Sequence, residues 1–149
     1  MMKKEFILQH IDELYKAAND ILQLMLEGEG KLAFLYGDLG AGKTTLVKEI
    51  AKQLGTKDET SSPTYSLVNE YKTEKGNLYH IDLYRINDTH EAIDMGIEEY
   101  IDGEYFCFVE WPQVIELLPD SYWKIELEAI ENEVRLLKIN FHINSELKS

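Results

Sequence analysis

The chain has 149 residues, 44% hydrophobic and 29% charged, so it can form one globular domain (residues 1–149) with a substantial core. Its 28 acidic and 15 basic residues give a net charge of −13, which argues against direct nucleic-acid binding because phosphate contacts need clustered cations. No apolar run is long enough to cross a bilayer, and the first residues lack a signal-peptide core. The single cysteine, Cys107, cannot form an internal disulfide, so we expect a cytoplasmic protein with a buried, structural thiol.

The first half of the chain predicts two strands that alternate with two helices. Residues 3–9 suit a short strand, and apolar side chains recur at helical spacing over residues 11–26. A short apolar run over residues 31–36 predicts the second strand, and residues 45–54 again show helical spacing. Gly55 suits the position just after this second helix.

The second half predicts two hairpins separated by shorter elements. A polar loop over residues 56–63 leads to strand-like runs at residues 66–71 and 78–84, which flank a glycine-containing turn. The sheet should therefore be mixed rather than wholly parallel. Residues 123–130 and 134–143 predict a second hairpin with a tight connection. Between the hairpins we predict a helix over 88–95, a short helix over 97–101, a strand over 104–109 and a helix over 112–117.

A glycine-rich loop lies between the second strand and the second helix. Residues Gly37 to Thr44 match the P-loop pattern G-x-x-x-x-G-K-[ST] at every fixed position, whereas the dinucleotide pattern G-x-G-x-x-G is absent. Glycines let backbone N–H groups turn inward around an anion, and the following helix points its positive end at the same place. Lys43 would then reach the β- and γ-phosphates, and the Thr44 hydroxyl would ligate Mg²⁺. The candidate nucleotide-binding residues are Asp38, Leu39, Gly40, Ala41, Gly42, Lys43, Thr44 and Thr45. We therefore predict an α/β, three-layer P-loop NTPase fold with a mixed parallel/antiparallel sheet.

Two carboxylates stand where strands are predicted. Glu110 follows an apolar strand, and ligands gather at the carboxyl ends of strands in α/β sheets. Asp82 is flanked by apolar residues, so it is either buried with a partner or faces a site. Thr64 lies in the loop after the P-loop helix, where nucleotide switches use a hydroxyl to sense Mg²⁺ and the γ-phosphate. His80 fits a satisfied strand histidine better than a general base.

Four segments together resemble the bacterial TsaE (YjeE) family, small P-loop ATPases needed to make threonylcarbamoyladenosine in tRNA. In chain order they are GDLGAGKTT from Gly37, SPTY from Ser62 with Tyr71 after it, HIDLYR from His80, and EWP from Glu110. Order, spacing and total length match, so the resemblance covers nearly the whole chain. Many families share the P-loop, but the other three segments in this order are much more specific.

The resemblance implies that ATP is the substrate, that Mg²⁺ is the cofactor, and that Thr44 and Glu110 ligate the metal. It also implies functional positions at Lys43, Thr64, Asp82 and Glu110. It further implies that the protein acts with TsaD and TsaB, which hold the tRNA-modifying site, so that tRNA is contacted only through that complex. ATP hydrolysis would support turnover rather than make the modification itself.

Some positions receive no role from the resemblance. The family often carries a small hydroxyl residue at the start of the first helix, near the adenine, and this chain has Ile11 there. The adenine-contacting residues are therefore unassigned. Arg135 falls near an arginine of the family's last hairpin, and the roles of Arg85, Trp111 and Arg135 stay open.

Three other readings of the P-loop compete with the accessory ATPase. A small-molecule kinase usually needs a lid with arginines that closes over the phosphates, and this chain has only Arg85 and Arg135. A GTP-binding switch would carry an Asn-Lys-x-Asp segment, which is missing. A nucleotide-stabilised scaffold without turnover would not need the combination of Lys43, Thr44 and Glu110.

Overall fold

A computed structural model of the chain describes residues 3–28, 30–38, 40–56 and 67–144. In chain order the elements are β1 (Lys3–Leu8), α1 (Leu14–Glu27), β2 (Leu32–Tyr36), α2 (Lys43–Gln53), β3 (Val68–Thr73), β4 (Gly76–Asp82), α3 (Thr89–Asp94), α4 (Ile97–Ile101), β5 (Phe106–Glu110), β6 (Ser121–Glu131) and β7 (Val134–Ile143). A 3₁₀ turn at Ile11–Glu13 precedes α1, and another at Pro112–Ile115 follows β5.

The strands form one seven-stranded sheet in the order β1-β7-β6-β2-β5-β4-β3. The four central strands, β6, β2, β5 and β4, are parallel to one another. The outer pairings of β1 with β7, β7 with β6, and β3 with β4 are antiparallel. Both predicted hairpins and the mixed sheet are thus confirmed. Because β2, β4 and β5 run in the same direction, their carboxyl ends meet at one edge of the sheet.

Helices cover both faces of this sheet, which confirms the three-layer α/β prediction. On one face, α1 and α2 pack into a core cluster that includes Ile21, Leu46, Ile50, Phe108 and Ile125. On the other face, α3, α4 and the second 3₁₀ turn pack into a cluster that includes Phe34, Ala92, Ile97, Val109 and Ile115. Among the helices that the structure describes, none is long and apolar enough to cross a bilayer.

The helix predicted over residues 112–117 is wrong, because the chain forms only a 3₁₀ turn there. Pro112 occupies its first position, and Leu118 N–H donates to the Ile115 carbonyl at 3.1 Å, an i to i−3 bond. Pro119 follows directly after Leu118, and a proline disfavours helical backbone at the residue before it. Pro119 therefore limits the helical backbone that can follow Pro112, and the chain forms the tighter 3₁₀ turn instead.

Cys107 lies inside β5 with 1% of its surface exposed. Burial raises the pKa of its thiol to about 12, so the reactive thiolate is scarce at neutral pH. The predicted structural role of this cysteine is therefore confirmed by its position in the core.

Candidate nucleotide site

The glycine-rich loop connects the carboxyl end of β2 to the first turn of α2. Gly40 and Gly42 have φ angles of +81° and +110°, a region that glycine adopts without strain. Ala41 N–H donates to the Asp38 carbonyl at 3.1 Å, which closes the turn. Because α2 begins at Lys43, the side chains of Lys43 and Thr44 stand at the positive end of the helix. This is the geometry of an anion-binding site.

The loop approaches β6 so closely that its first position must be glycine. Gly37 has a φ angle of +150°, and a Cβ placed on it would lie 2.2 Å from the Leu127 carbonyl oxygen. That oxygen belongs to the backbone of a strand in the middle of the sheet, so it cannot move aside. The first glycine of the pattern is therefore fixed by packing against the sheet.

Replacing Gly37 with alanine is expected to lower the free energy of unfolding by about 3 kcal/mol, since the added methyl group would displace backbone. Gly40→Ala is the matched control: its φ is also positive, but no atom of the residues that the structure describes lies within 4 Å of its added Cβ. We expect that control to cost about 1 kcal/mol, the strain of left-handed backbone. Urea unfolding of both variants measures the difference. Equal losses would contradict the close packing inferred at Gly37.

Lys43 is buried at the mouth of the loop, with 4% of its surface exposed. Its Nζ donates to the Gly37 carbonyl at 2.5 Å and lies 4.0 Å from the centroid of the Trp111 ring. Burial lowers the pKa of Lys43, and the charges of Glu110, Asp82 and Asp38 act in the opposite direction. An ammonium group in this setting gains stabilisation when phosphate oxygens supply further negative charge.

Glu110 ends β5 beneath the start of α2, with 5% of its surface exposed. The Thr44 hydroxyl donates to Glu110 Oε2 at 2.8 Å, and His80 Nε2 lies 2.5 Å from the same oxygen. Burial alone would raise the pKa of Glu110, but His80, the Thr44 hydroxyl and the charge of Lys43 together lower it below its usual value. Glu110 is therefore a carboxylate at neutral pH despite its burial.

His80 is the site residue that sequence reasoning undervalued. Its Nε2 is satisfied by Glu110, but its buried Nδ1 finds no hydrogen-bond partner in the described part of the chain. The signal that could have found it is strand periodicity: His80 stands two residues before Asp82, so both side chains lie on the same face of β4. Its register partner Phe108 likewise stands two residues before Glu110 on β5.

Asp82 faces the site rather than the core. It ends β4 directly beside Glu110 in the register, and its side chain is exposed, with Oδ1 accepting from Tyr84 N–H at 2.9 Å. The sequence predicted that Asp82 is either buried with a partner or faces a site. Burial with a partner is wrong, because the strand ends at Asp82 and the chain turns toward solvent. A cavity of about 230 Å³ is lined by Gly40, Gly42, Lys43, Thr44, Thr45, Asp82, Glu110 and Trp111.

Trp111 forms one wall of this cavity in an unusual backbone conformation. Its φ of +57° is rare for a residue with a bulky side chain, and such outliers cluster at functional sites. The Trp111 ring contacts that of Tyr84, with centroids 4.9 Å apart, and Tyr84 is 55% exposed. The two rings thus lie next to Lys43, on the side of the lysine that faces solvent.

Arg135 contacts the loop without lining the cavity. Its Nε donates to the Ala41 carbonyl at 3.3 Å, and its Nη1 donates to the Asn132 carbonyl at 2.9 Å. The turn between β6 and β7 is thereby tied to the glycine loop. Ile11 also meets the loop, since its Cδ1 lies 3.1 Å from a Cβ placed on Gly42.

Two oxygen atoms in the cavity suit Mg²⁺. The Thr44 hydroxyl and the Glu110 carboxylate are hard donors already within hydrogen-bond distance of each other, and Mg²⁺ typically takes one or two protein ligands with phosphates and water. No group of three or more His, Cys, Asp or Glu side chains that could hold a metal is found among the described residues. The predicted positions Leu39 and Thr64 lie outside the described residues.

A three-layer α/β fold with this loop between β2 and α2 defines a protein of the P-loop NTPase fold. The family model "TsaE: Threonylcarbamoyl adenosine biosynthesis protein TsaE" matches residues 8–137. The chain belongs to this family, which confirms the resemblance seen in its sequence.

Individual relatives agree with the family model. The "tRNA threonylcarbamoyladenosine biosynthesis protein TsaE" of Aquifex aeolicus (strain VF5) is 46% identical over 135 residues, covering 83% of this chain and 95% of that protein. The protein of the same name from Bacillus subtilis (strain 168) is 40% identical over 107 residues, covering 71% and 66%. Among solved structures, "Crystal structure of Bacillus subtilus YdiB" matches with a TM-score of 0.70 and 27% identity, covering 99% of this chain and 90% of that one.

Proposed function

We propose that this protein is a Mg²⁺-dependent ATPase that supports threonylcarbamoyladenosine formation in tRNA together with TsaD and TsaB proteins. The observation that carries the proposal is the 2.8 Å hydrogen bond between the Thr44 hydroxyl and Glu110, set beside Lys43 at the start of α2. These are the side chains that phosphoryl-transfer sites of this fold require: a lysine for the phosphates and a hydroxyl with a carboxylate for the metal.

Each residue has a separate part in this proposal. The backbone N–H groups from Gly40 to Thr45 bind phosphate oxygens, and Lys43 neutralises charge on the β- and γ-phosphates. Thr44 and Glu110 would hold Mg²⁺, which would stabilise the charge that develops during phosphoryl transfer. Asp82 lies in the same cavity and orients the attacking water, with Thr64 as the switch hydroxyl.

The acidic composition supports an accessory role. A net charge of −13 opposes direct contact with tRNA, so tRNA would be bound by the partner proteins in the cytoplasm. Hydrolysis would then drive turnover of the complex rather than the modification chemistry.

The first test is ATP hydrolysis by the purified protein with Mg²⁺, alone and with TsaD and TsaB proteins from the same source. We expect weak activity alone, clear stimulation by the partners, and loss of both when Mg²⁺ is chelated. Equal rates with and without partners would contradict the accessory role. Transfer of the γ-phosphate to an added metabolite would instead establish a kinase.

The kinase alternative gains no support from the arginines. Arg135 donates to backbone carbonyls of the loop and of the β6–β7 turn, Arg85 is exposed, and neither arginine lines the phosphate cavity. Lys43 is the sole cation among the described residues that line this cavity. A residue that closes over the phosphates in a kinase is therefore not found in the described part of the chain.

A further inference from the structure

A second cavity lies at the opposite edge of the sheet from the nucleotide site. It has a volume of about 350 Å³ and is lined by Glu70, Tyr79, Glu99, Tyr100, Gly103, Glu104 and Tyr105. Tyr105 directly precedes the first residue of β5, whereas Glu110 is the last residue of that strand. We call it the tyrosine cavity.

Three aromatic rings form part of its wall. The Tyr79 ring meets that of Tyr100 at 5.0 Å with an interplanar angle of 67°, and that of Tyr105 at 6.4 Å and 65°. In an edge-to-face contact the ring that supplies its edge keeps both electron-rich faces free of its partner ring. Tyr105 is 47% exposed, which leaves the cavity open to a group from outside.

Three carboxylates from separate elements surround the rings. Glu70 comes from β3, Glu99 from α4, and Glu104 from the segment before β5, and all three side chains are exposed. Within the described ranges, none of them forms an ion pair. Among the described residues that line the cavity there is no lysine or arginine, so no positive side chain of the lining neutralises the three carboxylates.

We propose that the tyrosine cavity binds an arginine side chain presented by a basic segment of a partner protein. A guanidinium group stacks on aromatic faces and donates in a planar fork to carboxylates, so it uses both features of the lining. A lysine ammonium is a compact, strongly hydrated charge that gains less from flat aromatic walls. An RNA partner is disfavoured because its phosphates would face three carboxylates.

The charge of the whole chain favours a protein segment over a free small cation. With a net charge of −13, basic residues on both sides of the bound arginine would also meet negative potential. One exposed ion pair contributes little, so useful affinity requires several such contacts on a single chain. Binding at the tyrosine cavity does not depend on nucleotide hydrolysis, because the cavity lies away from Lys43 and Glu110.

The test is calorimetric titration of the full chain with the peptide Gly-Arg-Gly-Arg-Gly-Arg, compared with its lysine and citrulline counterparts. We expect the arginine peptide to bind about tenfold more tightly than the lysine peptide, a difference of the size expected when cation–π contacts are lost, and the citrulline peptide not to bind. Arginine amide alone is expected to bind much more weakly than the peptide. Failure of the arginine peptide to bind at about 1 mM would overturn the proposal.

Two neighbouring glutamates on α4 provide a matched pair of variants. Glu99 lines the cavity and Glu98 does not, although both are exposed on the same short helix. Glu99→Gln should weaken peptide binding about fivefold, whereas Glu98→Gln should leave it unchanged. Tyr105→Leu should also weaken it about fivefold, and its exposed position makes a folding defect easy to exclude by circular dichroism.

The same variants separate a specific site from general attraction. Equal weakening by Glu98→Gln and Glu99→Gln would show that the peptide senses only the acidic surface, and would overturn the proposal. Equal affinity for the arginine and lysine peptides would do the same, as would arginine amide binding as tightly as the peptide. ATP hydrolysis should stay at the wild-type rate in all three variants, so this result does not depend on the proposed ATPase function.

Discussion

The Lys43→Ala variant is expected to bind ATP at least about a hundredfold more weakly than the wild-type protein. Its ammonium group is held by the Gly37 carbonyl and by the Trp111 ring at the start of α2, so it is already positioned for phosphate. Charge-assisted hydrogen bonds of this kind contribute about 1.5–3 kcal/mol each, and more than one phosphate oxygen is within a lysine's reach. Calorimetric titration with ATP and Mg²⁺ measures the loss.

Lys52→Ala is the matched control for this experiment. It removes the same charge from the same helix, but from the exposed last turn rather than the first. We expect wild-type ATP affinity in this control, and native circular dichroism in both variants. If the two variants lost affinity equally, the effect would come from the net charge of the protein, and the assignment of Lys43 to the phosphates would fail.

Most of the fold could be predicted because local pattern and tertiary structure agree. The apolar runs that became β2 and β5 are buried on both faces, as central parallel strands should be. The turn around Gly76 and the connection at Asn132 produced the two expected hairpins. The error at Pro112 arose because a proline that suits the first turn of an α-helix also suits a 3₁₀ turn, and Pro119 soon follows.

The site was predicted less completely, because local sequence patterns do not show which strands become neighbours in the sheet. The pattern placed Lys43, Thr44 and Glu110 in one site, and the structure brings them together. The contact of His80 with Glu110 depends on β4 lying next to β5, which only the folded sheet determines. The support that Arg135 gives to the glycine loop likewise requires β7 to reach the loop across the sheet. Residues 94 positions apart in sequence, Arg135 and Ala41, give no local signal of their contact.

The Glu110→Gln variant is expected to keep ATP binding and to lose most ATP hydrolysis, by about a hundredfold. The amide has the size of the carboxylate and can still accept from the Thr44 hydroxyl, so the loop keeps its shape. It is neutral, however, and a neutral ligand holds Mg²⁺ less well at the point where charge develops on the phosphates. Steady-state hydrolysis in the presence of the partner proteins, together with ATP titration, separates the two effects. Glu5→Gln on the exposed edge strand β1 is the control and should hydrolyse ATP normally.

The same substitution also has an effect on stability that depends on pH. The folded-state pKa of Glu110 is lowered, so its ionised form stabilises the folded protein above the unfolded-state pKa of about 4.3. This contribution is lost as the pH falls through the lower, folded-state value. The wild-type protein should therefore exceed Glu110→Gln in free energy of unfolding at neutral pH, and the difference should shrink in acid. Urea unfolding at pH values on both sides of about 4.3 measures it, and a gap that stayed constant would show that His80 and Thr44 do not stabilise the carboxylate. Normal hydrolysis by Glu110→Gln with the partners present would remove Glu110 from the metal site, whatever its contribution to stability.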